Sequence, residues 1–179
     1  MKELSLNILD ITHNSITAKA KNISISLEYS DDMLAIIIKD DGCGMDKEML
    51  EKVTDPFTTS RTSRRVGLGI PLFKLAAEQT GGELLINSEK GKGTEVSATF
   101  HTDHIDCPPL GDIASTVSML AAAIPEDCRL TYKMETPKGS FELDTDQIKE
   151  VLGSRISLSE PEIQEWIRVY ITEQELKIV

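Results

Sequence analysis

The amino-acid sequence predicts an α/β protein with a small α+β extension at its C-terminal side, and three observations carry that expectation. Apolar residues recur at helical spacing over the first twenty positions, and strict alternation of apolar and polar residues follows at 22–29. A proline pair inside "DCPPLGD", residues 106–112, then interrupts regular structure between two segments that each read as helices and strands. The organisation expected is one unit over 1–104 and an acidic α+β extension of unassigned role over 105–179.

Taken in order, residues 1–20 read as a helix, with Leu4, Ile8, Ile11, Ser15 and Ala18 along one mostly apolar face. Residues 22–29 form a half-buried strand with Ile23, Ile25 and Leu27 on one side. A second strand spans 33–39, with "SDD" as the hairpin loop. A short helix is expected at 46–53. The segment "TDPFTTSRTSRRVG" lacks apolar periodicity and reads as a loop. Gly69 and Pro71 open a helix that runs to about Gln79 and stops at "TGG". Strands at 83–88 and 94–101 are joined by "KGKG". Beyond the prolines a helix at 112–124, strands at 128–135 and 140–144, and two terminal helices are expected. Asp144 with Gln147, and Ser159 with Glu162, read as the caps of those two helices.

Bulk composition limits the function classes. With 179 residues, 40% hydrophobic and 27% charged, the chain reads as a globular protein with one good core. No apolar run reaches the roughly 20 residues that span a bilayer. The N-terminus does not resemble a signal peptide, and three irregularly spaced cysteines argue against a disulfide framework. The cytoplasm is the expected compartment. The net charge of -11 is uneven: residues 101–179 hold 15 acidic and 7 basic side chains, a balance of -8. Such a surface repels nucleic acid and anionic membrane.

The stretch "IIIKDDGCGMD", residues 36–46, runs a buried strand into two aspartates and two glycines. A simple turn would use the same residues. A calcium loop starting at Asp40 fails, because Gly42 and Gly44 fall where oxygen ligands belong and Met45 where glycine is required. A nucleotide site is the third reading. On the first helix Asn7, Asp10, Asn14 and Lys21 read as a polar stripe. It is either a solvated face or a carboxylate and an amide aimed at a metal-bound phosphate.

Four pieces occur in order: "DITHNSITA" on a helix, "DDGCGM" after a strand, "VGLGIPL" opening a helix and "GKGTEV" between strands. Together they resemble the GHKL superfamily of gyrase, the large heat-shock chaperone, histidine kinases and the mismatch-repair ATPases. The resemblance covers about residues 3–101 and is nearest to the histidine-kinase-like branch, through "DPFTT", "VGLGIPL" and "GGELLINSEKGKGTEV". It implies a two-layer α/β sandwich of the Bergerat type that binds ATP with Mg²⁺.

The resemblance also implies roles residue by residue. Asn14 matches the asparagine that holds Mg²⁺ against the triphosphate. Asp40 matches the aspartate that reads the adenine amino group, and Thr94 the hydroxyl that shares a water with it. Gly42 and Gly44 let backbone approach the base. Gly67, Leu68 and Gly69 match the helix start that receives phosphate oxygens. Phe57 matches the phenylalanine beside the nucleotide lid, which would span 58–66. The lid residues Arg61, Arg64 and Arg65 are either phosphate clamps or solvated loop charges. Asp41 reads as a turn residue.

Asp10 stands where the ATPases and serine-kinase anti-sigma factors of the superfamily carry a glutamate general base, and histidine kinases an asparagine. The carboxylate favours activation of water or a hydroxyl, with one methylene less reach. A purely structural role, ordering the neighbouring asparagines, is the alternative. No phosphoacceptor-histidine hairpin precedes the motifs, and His13 matches no phosphoacceptor. His101, His104 and Cys107 could offer metal ligands, but they do not share a face and lack a fourth partner. Trp166, with Ile163, Ile167 and Tyr170, reads as the packing stripe of the last helix.

Three functions follow as expectations. The first is a Mg-dependent regulatory enzyme that hydrolyses ATP or phosphorylates a protein hydroxyl with Asp10 as base. The second is an ATP-gated binding module with little turnover. The third is a kinase module acting in trans on a histidine of a partner in signal transduction. A protein partner or substrate is expected in each, and a homodimer remains open.

Overall fold

The computed structural model describes residues 3–55, 68–153 and 155–179. Its elements in chain order are α1 (Leu4–Thr17), β1 (Asn22–Ser30), β2 (Met33–Asp40), α2 (Lys47–Val53), α3 (Gly69–Gln79), β3 (Leu84–Glu89) and β4 (Gly93–His101). Then come α4 (Ile113–Ala123), β5 (Arg129–Thr136), β6 (Gly139–Asp144), α5 (Thr145–Leu152) and α6 (Pro161–Ile178).

All six strands form one sheet in the order β3-β4-β2-β1-β5-β6. Neighbours are antiparallel except β1 and β5, which run parallel. Strand alternation sends one set of side chains to a common face: Ile23, Ile25 and Leu27 from β1, Ile36 and Ile38 from β2, Val96 and Phe100 from β4, Leu130 and Tyr132 from β5. Helices α3, α1, α4 and α6 form a layer, with α1 against both α3 and α4, and α4 against α6. The result is a two-layer α/β sandwich. Each fully buried Ile or Leu in it contributes about 1.5–3 kcal/mol of transfer free energy, so the apolar side of the alternation fixes which face is covered. Phe73 of α3 meets Phe100 of β4 with ring centroids 5.4 Å apart, which seats α3 on the sheet.

Residues beyond 104 continue this sheet: β5 adds directly to β1, with Ile23 opposite Leu130 and Ile25 opposite Tyr132. The backbone also ties the two segments at Leu4 and Ser5, whose N–H groups donate to the carbonyls of Pro109 and Leu110. Asp112 caps α4 by accepting from the Ser115 amide, and Asp144 caps α5 by accepting from the Asp146 amide.

Local expectations need correction at three places. The cap of α6 is Glu160, with Pro161 in its first turn, and Ser159 instead shares a hydrogen bond with Ser157. Pro161 supplies a pre-set φ at the helix start, so no side-chain cap is required there. Trp166 is 51% exposed and stacks flat on Tyr170, centroids 5.2 Å apart, while Ile167 alone of that pair of neighbours is fully buried. The polar stripe on α1 is also narrower than its spacing implied. Asn7 is buried on the packed side, and Lys21 lies beyond the helix end, paired with Asp127.

Candidate functional site

The site is built where the C-terminal end of β2 meets the last turns of α1. Asp40 ends β2, opposite Ile23 of β1 and Thr94 of β4. Its Oδ2 accepts a 2.6 Å hydrogen bond from the Ser15 hydroxyl, and its Oδ1 accepts from the Gly42 amide at 2.9 Å. One bond comes from a helix and the other from the loop that Asp40 starts, so the carboxylate is fixed from two sides. Each oxygen keeps a further acceptor direction.

The glycines are demanded by contact. A Cβ on Gly42 would lie 2.8 Å from the Cβ of Ala18 and 3.0 Å from Oδ1 of Asp40. Gly44 adopts φ +64, and a Cβ there would sit 2.0 Å from the Glu89 carbonyl oxygen. Gly93, at φ +113, presses equally close to the carbonyl of Asp40. Backbone bonds close the loop: the Cys43 amide donates to Ala18, and the Gly91 amide to Cys43.

Thr94 reaches this loop through Ser88. The two hydroxyls are 2.8 Å apart, and the Ser88 oxygen accepts from the Met45 amide at 2.9 Å. Asp41 points elsewhere. It accepts from the amides of Lys21 and Asn22 and from the Asn22 side chain, pinning the entry to β1. The Asn22 side-chain bond, with help from those amides, holds its carboxyl below the usual aspartate range. It is a loop clamp, in keeping with its reading as a turn residue.

Asp10 and Asn14 are both exposed, one turn apart on α1. Asp10 faces the start of α3: a Cβ on Gly69 would lie 3.1 Å from the Asp10 Cβ and 3.8 Å from its Oδ2. Leu68 precedes that helix without a side-chain cap hydrogen bond, so its own side chain does not satisfy the first-turn N–H groups. Of the residues expected at the site, Asp10, Asn14, Asp40, Gly42, Gly44, Leu68, Gly69 and Thr94 are thus located. Phe57, Arg61, Arg64, Arg65 and Gly67 lie outside the described residues.

Sequence reasoning missed Ser15 and Ser88. Ser15 was assigned to the apolar face of the first helix, where it is indeed buried. The signal available was a hydroxyl in an apolar row, next to Asn14. Ser88 carried no signal, because only the β3–β4 register brings it opposite Thr94. His13 is exposed. His104 accepts from the Asp106 amide through Nδ1, and among the described residues no group of three or more His, Cys, Asp or Glu side chains could hold a metal. Among the described residues, no helix is long and apolar enough to cross a membrane.

Known proteins similar to this chain fall into one family. The chain is 32% identical over 101 residues to a putative sensor protein of Shewanella frigidimarina, covering 56% of this chain and 15% of that protein. It is 36% identical over 100 residues to the signal transduction histidine-protein kinase AtoS of Escherichia coli, covering 56% and 16%. A probable C4-dicarboxylate sensor kinase of Bacillus subtilis is 33% identical over 86 residues, covering 48% and 16%. The chain therefore spans about one sixth of the length of these relatives. Among solved structures, the N-terminal domain of a DNA repair protein superposes with a TM-score of 0.59 at 17% identity, covering 86% of this chain and 58% of that one. That likeness concerns the fold alone, and residues 1–104 cannot supply so large a share by themselves. Residues 1–104 match the model for histidine kinase-, DNA gyrase B- and HSP90-like ATPases, and the chain belongs to that family of ATP-binding kinase and ATPase modules.

Proposed function

We propose that the chain is a Mg-dependent regulatory enzyme that transfers the γ-phosphoryl group of ATP to water or to a protein hydroxyl, with Asp10 as general base. The observation that carries this reading is the placement of the Asp10 side chain beside Gly69 at the start of α3, where a Cβ on Gly69 would meet the Asp10 Cβ at 3.1 Å. A helix start receives phosphate oxygens through free N–H groups and its dipole. A carboxylate held beside it stands next to the phosphate that reacts.

Asp40 takes the hydrogen bond of the adenine amino group on an oxygen already oriented by Ser15 or Gly42. Thr94, backed by Ser88, supports the other side of the base. Gly42 and Gly44 keep the approach free of side chains. Asn14 fits a magnesium role modestly: one exposed amide oxygen suits an ion that keeps most of its ligands as water and phosphate. When bound, that ion would neutralise charge on the triphosphate. Asp10 then accepts the proton of the attacking oxygen as the new P–O bond forms and the bond to the leaving ADP breaks. Phe57 and the lid arginines Arg61, Arg64 and Arg65 belong to the same proposal as the cover of the nucleotide.

Kinship with sensor kinases favours a second reading, transfer in trans to a histidine of a partner. An imidazole needs no carboxylate base, so the two readings separate on one variant. The test is inorganic phosphate release from Mg·ATP by the chain and by Asp10→Asn, with ATP binding measured on both. Release that collapses in the variant while binding persists supports the hydrolytic reading. Equal release in both proteins removes Asp10 from the chemistry.

A further inference from the structure

A further cavity lies away from this site. It measures about 550 Å³, within the range of small-molecule pockets, and opens at the far end of the sheet. β1 starts beside Asp40 and ends at Ser30, so Tyr29 and the cavity it lines lie about 20 Å away along the strand. Its walls include Tyr29, Leu110, Met134, Pro137, Leu176 and Ile178, drawn from the ends of β1 and β5, the β5–β6 turn, the segment before α4 and the last turn of α6. The scaffold there is fixed: Thr136 hydrogen-bonds the Ile178 carbonyl, and Gly139 leaves room for Ile178 at what would be a 3.0 Å contact.

One acid faces this apolar space. Glu175 lines the cavity, and its Oε1 is buried without a hydrogen-bond partner among the described residues. The Tyr132 hydroxyl, on the fully buried ring next to Met134's strand position, is likewise unpartnered. Asp112 acts on Glu175 as a second acid, Tyr29 and Tyr132 are uncharged phenols, and Lys138 is turned to the Val179 carbonyl, 2.9 Å from it. Burial, and to a smaller degree Asp112, pushes the Glu175 carboxyl up to about 7. Native proteins rarely leave a buried carboxylate oxygen without a donor.

We propose that this cavity is a second ligand site, distinct from the nucleotide site, that takes a small organic ammonium with an apolar tail. The ammonium would donate to Glu175 and rest near the Tyr29 ring, while the tail fills the space among Leu110, Met134 and Ile178. The -8 balance of residues 101–179 attracts such a cation over an anion. A carboxylate-headed ligand would instead meet Glu175 and Asp112 as like charges.

The test compares n-octylamine, n-octanol and octanoate, each titrated into the full chain at pH 7.5 while methyl resonances of Leu110, Met134 and Ile178 are followed by NMR. Saturable shifts of these methyls are expected with n-octylamine, at an affinity about tenfold or more above octanoate. Glu175→Gln should weaken the amine by about tenfold and leave n-octanol unchanged, which also shows that the variant retains the cavity. Octanoate binding as tightly as the amine, amine binding untouched in Glu175→Gln, or no saturable shift with any probe would each overturn the proposal. So would methyl shifts that follow protein concentration without ligand, since a second copy would then fill the cavity.

Discussion

Ser15 donates a 2.6 Å hydrogen bond to Asp40 across twenty-five residues of sequence, linking the last turns of α1 to the end of β2. The bond fixes the carboxylate proposed above to face adenine, and it comes from a residue buried in the helix–sheet interface. In the proposed function, nucleotide recognition and core packing are therefore joined at one side chain.

Ser15→Ala should weaken ATP binding by about tenfold, since a hydrogen bond to a charged group contributes about 1.5–3 kcal/mol. The fold should persist, because the methyl fits the same apolar face. Calorimetric titration with thermal melting of the free protein separates the two effects. Unchanged affinity would mean that Gly42 orients Asp40 without help.

Gly44→Ala and Gly93→Ala should each abolish ATP binding. Both residues hold positive φ, and the new Cβ would fall 2.0 Å from a carbonyl oxygen, so the loop must move. Gly91→Ala is the control: it also has positive φ but no neighbour within 4 Å, so its loss should be limited to local strain. Fluorescent nucleotide binding to the three variants orders them.

These contacts show how far the sequence could be read. The apolar periods over Leu4–Ile11 and Ile23–Leu27 announced α1 and β1, because burial on one face dictates that spacing. The tight glycine loop after Asp40 was legible through the order of those residues along the chain. Ser88 and Ser15 were not, since their roles arise only from strand register and from the seat of α1 on the sheet. Trp166 was misread because a helical period marks a face without saying how much of it is covered. That β5 would join β1 in parallel, giving one sheet across both segments, was equally hidden: such pairing is non-local and leaves no mark on either strand alone.

Arg129 and Asp144 form a two-point ion pair, with Nε at 3.1 Å and Nη2 at 2.6 Å from the two carboxylate oxygens. The arginine holds the buried Asp144 carboxyl below the usual range. Arg129→Ala should lower the melting temperature more than Arg168→Ala, whose partner Glu165 is exposed. The pair's contribution is present above the unfolded aspartate value and fades as pH falls through the lowered one. Melting curves at pH 7 and pH 3 should show the gap between Arg129→Ala and the native chain narrowing at the acid end.

Glu175 has the opposite sign. Its folded value, about 7, lies above the ordinary 4.5, so the folded state holds its proton longer. Its protonated form favours folding at low pH, and that advantage is lost as pH rises from about 4.5 through 7. Glu175→Gln should therefore gain stability relative to the native chain between pH 5 and pH 8. A difference in melting temperature that stays flat across that range would contradict the burial of this carboxyl.

In the proposed function Asp40, held by Ser15 and Gly42, selects the nucleotide. Titrating ATP and GTP into the native chain and into Asp40→Asn, with Mg²⁺ present, tests it most directly. The native chain should bind ATP well and GTP poorly, and the variant should lose ATP by about a hundredfold, as expected when a charged acceptor facing a base amino group is removed. ATP affinity unchanged in Asp40→Asn would contradict it.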